Sequence, residues 1–139
     1  MNILVIDAQG GGIGRQLVAK LLERIPEADI VAAGTNSMAT NAMIKAGAKK
    51  AATGENAIRY CASQAEIITG PIGILVANAM LGEISPAIAE SVGFSTAPKV
   101  LIPTAHCNTI IAGTKALPVK DSIEDAVDRI VRIHGGEDN

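Results

Sequence analysis

The sequence predicts a single α/β domain over residues 1–139, with a small, doubly wound and mostly parallel sheet of the Rossmann-like type. Short apolar runs alternate along the chain with helical patterns, as in successive βαβ units. The first apolar run, Asn2–Asp7, is nearly continuous, which is typical of a strand covered on both faces. A glycine-rich loop, QGGGIG at residues 9–14, then joins this strand to the first helical pattern.

The first half of the chain shows three strands and three helices. Apolar residues recur at helical spacing from Ile13 to Ile25, and Pro26 ends this first helix. Ser37 is expected to cap a second helix that runs to Ala46. A third helix is predicted from a cap at Asn56 to residue 64. The strands predicted in this half are residues 2–7, 30–33 and 50–53.

The second half continues the alternation with three more predicted strands, at residues 66–69, 100–103 and 109–112. Pro71 follows the first of these and suits the first turn of a helix. Ser122 and Asp125 are expected to begin a last amphipathic helix that ends near His134.

Composition excludes several classes of function. The chain has 139 residues, a net charge of -2 and no block of like charge, so nucleic acid is not expected as the main partner. Aromatic residues make up 1% of the chain, which leaves no platform for stacking bases. No signal peptide and no apolar run of membrane-spanning length are apparent. Cys61 and Cys107 lack CxxC spacing, so we expect a reduced cytoplasmic protein with no metal site.

The glycine loop is the main candidate for ligand binding. The N-terminus of the following helix offers unpaired N–H groups, and glycines let a phosphate approach the backbone closely. The alternative is a tight turn without a ligand. The residues of this loop predicted to contact a nucleotide are Gly10, Gly11, Gly12, Ile13, Gly14 and Arg15.

The loop matches no single glycine motif. A GxGxxG pattern starting at Gly10 finds Arg15 at its last position. The segment GIGR resembles the end of the short-chain dehydrogenase loop, but Tyr60 has Gln64 where that family's catalytic lysine would stand. A P-loop is excluded, since Arg15 and Gln16 replace its lysine and hydroxyl residue.

The second strand bears on the choice of cofactor. An acid is expected near its end if the ligand is NAD, but the sequence has Gly34 followed by Thr35, Asn36 and Ser37. These three polar residues could hold a 2′-phosphate, which favours NADP. They could equally form a plain helix cap.

Other residues are expected at the same edge of the sheet. Gly70, Pro71 and Asn108 are predicted to contact the cofactor. His106 and Cys107 could form a nucleophilic pair, or a polar loop tip with a buried thiol. Asp7 could bind a ligand or Mg²⁺, or cap the glycine loop.

The segment that begins at Gly70 and ends at Phe94 is unusually apolar. Its first part is apolar nearly all round, so a helix there must be buried on several sides. We expect burial against a second copy in a homodimer, or in a groove between the sheet and the last helix. Glu83 in this segment could face the cleft or the solvent.

Four motifs together resemble a small family of bacterial Rossmann-like proteins with a domain of unknown function: DAQGGGIG, GTNSMAT, GPIGILVANAMLGEISP, and KVLIP followed by a Cys-Asn pair. The resemblance implies a cytosolic Rossmann-like protein and supplies no catalytic residues. Three functions stay open. They are a nucleotide-binding module, a compact homodimeric NADP-dependent reductase or transferase, and a structural or regulatory subunit without nucleotide.

Overall fold

The computed structural model describes residues 1–104 and 108–137. Strands and helices alternate along the chain. The strands are β1 (Asn2–Asp7), β2 (Asp29–Gly34), β3 (Lys50–Thr53), β4 (Ile67–Pro71) and β5 (Lys99–Ile102). The helices are α1 (Gly12–Arg24), α2 (Ser37–Lys45), α3 (Glu55–Gln64), α4 (Pro86–Phe94) and α5 (Val119–His134), with a short 3₁₀ turn at Ile72–Leu75.

The five strands form one parallel sheet in the order β3-β2-β1-β4-β5. β1 lies at the centre, where Ile3 is in register with Ile30 of β2 and with Ile67 of β4. Strand order reverses between β1 and β4, because β2 and β3 lie on one side of β1, and β4 and β5 lie on the other side. This confirms the Rossmann-like fold and places its switch point beside β1.

The alternation of side chains along β1 explains its continuous apolar run. Ile3 and Val5 pack with α1, α2 and α5 on one face, and Leu4 and Ile6 pack with α3 and α4 on the other. All four side chains are fully buried. A strand with helices on both faces needs apolar residues at every position.

The predicted sixth strand is wrong. In the described part of the chain, residues 109–112 form no strand, and β5 pairs only with β4. Ile110 is 95% exposed. This apolar run therefore lies outside the sheet, in the long segment between β5 and α5.

The segment from Gly70 to Phe94 is not one helix. Pro71 ends β4 instead of starting a helix, and turns occupy residues 77–83 before α4 begins. Three non-glycine residues in these turns, Asn78, Met80 and Leu81, have positive φ. A left-handed backbone cannot continue an α-helix, which is why the predicted helix does not form.

Several helix starts also differ from prediction. The side chain of Asn36, not that of Ser37, caps α2 by accepting a hydrogen bond from the Ala39 N–H. The N-terminal cap of α3 is Gly54 and not the predicted Asn56. α5 begins at Val119 after Pro118, three residues before the predicted cap. In the described ranges, no helix is long and apolar enough to cross a membrane.

Candidate functional site

A large cleft lies at the carboxyl edge of the sheet, beside the switch point between β1 and β4. Its volume is about 800 Å³, within the range of small-molecule sites. One wall is the glycine loop after β1, with Gly10, Gly11, Gly12 and Ile13. The opposite wall comes from the end of β4 and from the segment between β5 and α5.

Two of the loop glycines are required by packing. Gly11 has φ of 73°, and a Cβ there would lie 2.9 Å from the Cα of Ala39 in α2. A Cβ on Gly14 would lie 2.7 Å from Met43 Sδ and 2.8 Å from Asp7 Cβ. These two glycines let α1 pack closely on α2 and β1, as glycines of Rossmann loops do.

Gly10 and Gly12 have no such explanation. A Cβ on either would have no described atom within 4 Å, and neither has a positive φ. Their N–H groups also donate no hydrogen bond within the described ranges. The loop thus presents two open glycines and two free donors to the cleft, at the N-terminus of α1.

Asp7 lies beneath this loop and shapes it. Its buried carboxylate accepts hydrogen bonds from the Ala8 N–H at 2.8 Å and the Gly14 N–H at 2.6 Å. Burial raises the pKa of Asp7 above its usual value of 3.8, although hydrogen bonds from Gly14, Ala8 and Ile13 oppose that shift. Of the roles considered for Asp7, the structure shows the capping one.

Glu83 joins three loops at the end of β2. Its Oε1 accepts hydrogen bonds from the Gln9 N–H at 2.9 Å, the Thr35 hydroxyl at 2.6 Å and the Asn36 amide at 2.8 Å. Desolvation tends to raise the pKa of Glu83, but the hydrogen bonds from Thr35, Gln9 and Asn36 hold it below its usual value of 4.5. From the sequence, Glu83 is expected to face the cleft or the solvent. Its hydrogen bonds to three loops are not predicted, because no pattern in the sequence indicates them.

The structure brings together only part of the predicted site. Five of the predicted contact residues line the cleft: Gly10, Gly11, Gly12, Ile13 and Pro71. Seven do not: Gly14, Arg15, Thr35, Asn36, Ser37, Gly70 and Asn108. The pair of His106 and Cys107 lies outside the described residues.

Only part of the far wall of the cleft was predicted, namely the residues that end or directly follow β4 and β5. In the part of this wall that the structure describes are the apolar side chains of Ile72, Met80, Ile110, Ile111 and Leu117, and one cation, Lys115. A signal was present in the sequence, because residues 109–112 are apolar and are followed by the turn formers Gly113 and Pro118. The same composition is typical of a strand, which is why the sequence predicts one there.

The fold and the cleft together define a Rossmann-like α/β protein with an open site at its switch point. The chain belongs to the DUF3842 family, a domain of unknown function whose family model matches residues 2–135. This confirms the resemblance found in the sequence to a family with a domain of unknown function. No curated protein matches the chain in sequence.

Among the solved structures that are similar to this chain are two of known name. A dodecameric FMN-dependent UbiX-like decarboxylase from Escherichia coli O157:H7 matches with a TM-score of 0.51 and 16% identity, over 100% of this chain and 96% of that chain. The protein AibC matches with a TM-score of 0.46 and 15% identity, over 97% of this chain and 39% of that chain. At 16% identity, the first likeness concerns the fold alone.

Proposed function

We propose that the chain binds a phosphate-bearing mononucleotide in the cleft, with FMN as the leading candidate. The observation that carries this proposal is the pair Gly10 and Gly12. Among the described residues, nothing requires glycine at either position for packing, and neither N–H group, at the N-terminus of a helix, donates a hydrogen bond. A phosphate placed there would accept those hydrogen bonds and interact favourably with the helix dipole.

The far wall of the cleft suits a flat ring. Ile72, Met80 and Ile111 offer apolar contacts to the faces and edges of such a ring, and Lys115 adds a positive charge. The cleft volume of about 800 Å³ lies within the usual range of small-molecule sites and leaves room for a mononucleotide. The UbiX-like decarboxylase, which shares this fold, is FMN-dependent, so a flavin is the first ligand to test.

NADP fits the described residues less well. In a dinucleotide-binding fold, the adenosine ribose lies at the end of β2. Here the side chains of Thr35 and Asn36, which would hold a 2′-phosphate, already donate to the Glu83 carboxylate. A second anion at that position would be repelled by Glu83 and would have to displace its hydrogen bonds.

The test is a comparison of FMN with riboflavin, which carries the same ring without the phosphate. We expect quenching of FMN fluorescence on titration with the protein, and binding of riboflavin at least about 10-fold weaker, because the phosphate contacts are lost. NADPH should bind more weakly than FMN. The variant Gly12→Asp places a carboxylate at the phosphate position and should abolish FMN binding.

The matched control is Gly135→Asp, which makes the same substitution at an exposed glycine after α5, outside the cleft and outside the segment from Gly70 to Phe94. It should bind FMN like the wild-type chain. Equal affinity for FMN and riboflavin, or FMN binding by Gly12→Asp, would refute a phosphate site at the glycine loop.

We also propose that the chain forms a homodimer through the segment from Gly70 to Phe94. Leu81 is 99% exposed and Phe94 is 87% exposed in this segment. Large apolar side chains at such exposure favour association with another protein surface. The UbiX-like decarboxylase of the same fold is dodecameric, so self-association is the first possibility to test.

A further inference from the structure

A second cavity lies on one face of the domain, between α1, α2 and α5. Its volume is about 390 Å³, again within the range of small-molecule sites. It is distinct from the cleft at the glycine loop, and Gln16 lines both. The Gln16 amide donates to the Gly12 carbonyl at 2.9 Å, which fixes this side chain between the two cavities.

The rim of this cavity is cationic. Four cations from three helices line it: Arg15, Lys20, Lys45 and Lys120. Lys20 is paired with Glu124 at 3.1 Å, and Glu124 is the one acid in the lining. Within residues 1–104 and 108–137, Arg15, Lys45 and Lys120 form no ion pair.

This concentration of charge runs against the composition of the chain. The whole chain has a net charge of -2, whereas the cavity lining has four cations and one acid. Cations held around one concave surface repel one another and raise the local concentration of anions. A ligand with several negative charges would relieve that repulsion.

The floor of the cavity is apolar and made of small side chains. It is formed by Ala19 of α1, Ala42 of α2, Ala46 at the C-terminal cap of α2, and Ile123 of α5. Because three of these four side chains are alanine methyl groups, they leave room for the face of a flat ring. An apolar floor with a cationic rim fits a molecule that joins a ring to two or more phosphates.

We propose that this cavity is a second ligand site, for a nucleoside polyphosphate. The ring lies against Ala19, Ala42 and Ile123, and the phosphates are held by Arg15, Lys45 and Lys120. This site does not depend on the binding of a mononucleotide in the cleft. It also gives Arg15, which does not line that cleft, a function in ligand binding.

The test uses ADP as the probe, measured by isothermal titration calorimetry with adenosine as the phosphate-free comparison. The triple variant Arg15→Gln, Lys45→Gln, Lys120→Gln removes the unpaired cations and keeps hydrogen-bonding side chains. We expect this variant to bind ADP about 10- to 100-fold more weakly, from the usual strength of hydrogen bonds to charged groups. Adenosine should bind weakly to both proteins.

The control is Lys49→Gln, which removes an exposed lysine that lines neither cavity. It should bind ADP like the wild-type chain. Because the three substitutions relieve repulsion at the surface, circular dichroism should show the triple variant folded.

Absence of ADP binding to the wild-type chain, or equal binding by the triple variant, would overturn the proposal. ADP binding that is lost in Gly12→Asp but kept in the triple variant would place ADP in the cleft and would also overturn it. Titration of the triple variant with FMN separates the two sites. If both proposals hold, the triple variant should still bind FMN. If the wild-type chain binds ADP as described but does not bind FMN, only the mononucleotide proposal is refuted.

Discussion

Replacing Gly11 with alanine should separate α1 from α2. The new Cβ would lie 2.9 Å from both the Cα and the carbonyl oxygen of Ala39, and backbone atoms cannot move aside cheaply. Overpacking of this kind costs about 1–3 kcal/mol. The φ of 73° at this position costs an L-residue about 1–2 kcal/mol more. We therefore expect the free energy of unfolding to fall by about 2–5 kcal/mol.

The matched control is Gly12→Ala, one residue along the chain. No described atom lies within 4 Å of its new Cβ. Alanine also favours helix over glycine, by up to about 1 kcal/mol. The free energy of unfolding of this variant should therefore equal or slightly exceed that of the wild-type chain.

Urea denaturation followed by circular dichroism measures both variants. With a slope of about 2 kcal/mol/M, Gly11→Ala should lower the midpoint by about 1–2.5 M. A midpoint within about 0.3 M of the wild-type value would refute the packing argument for Gly11. A large loss in Gly12→Ala would show that this glycine is required by the fold, and it would remove the observation on which the FMN proposal depends.

Two further predictions concern Glu83 and the exposed apolar residues. Glu83→Gln should lower the free energy of unfolding at neutral pH by about 1–2 kcal/mol, since a partly exposed charged acceptor of three hydrogen bonds is lost. Because the folded pKa of Glu83 lies below 4.5, the wild-type advantage should be complete above that pH and disappear as the pH falls through the folded value. Thermal unfolding of both proteins across this range measures the difference; a difference that persists in acid would contradict it. In sedimentation velocity, the wild-type chain should be a dimer and Leu81→Ser, Phe94→Ser a monomer. Met38→Ser, which changes an exposed residue of α2, should remain a dimer, and a monomeric wild-type chain would refute the interface.

The central part of the fold could be predicted from the sequence because its signals are local. The apolar run of β1 and the periodicity from Ile13 to Ile25 each depend on neighbouring residues. The turns at residues 77–83 could not be predicted, because Met80 and Leu81 have a left-handed backbone that these residue types rarely adopt.

The site was predicted less completely, because several of its contacts join residues that lie far apart in the sequence. The glycine loop is a local motif, and its position at the edge of the cleft follows from the order of strand, loop and helix. The hydrogen bond between Glu83 and Thr35 joins residues 48 positions apart, and no periodicity marks such a pair. The run at residues 109–112 has the composition of a strand, and only the three-dimensional structure shows that it lines a cleft.

The central position of β1 has a consequence for the synthesis of the chain. β1 leaves the ribosome first and can pair early with β2, but its other edge waits for β4, whose Ile67 pairs with Ile3. At about 5–20 residues per second, that interval lasts roughly 3 to 13 s. During this time the mostly apolar β1 has one open edge, which invites pairing with other nascent chains. Slower translation before residue 67 would prolong this exposure, so the yield of folded protein should depend on elongation rate more than it would for a sheet built from hairpins.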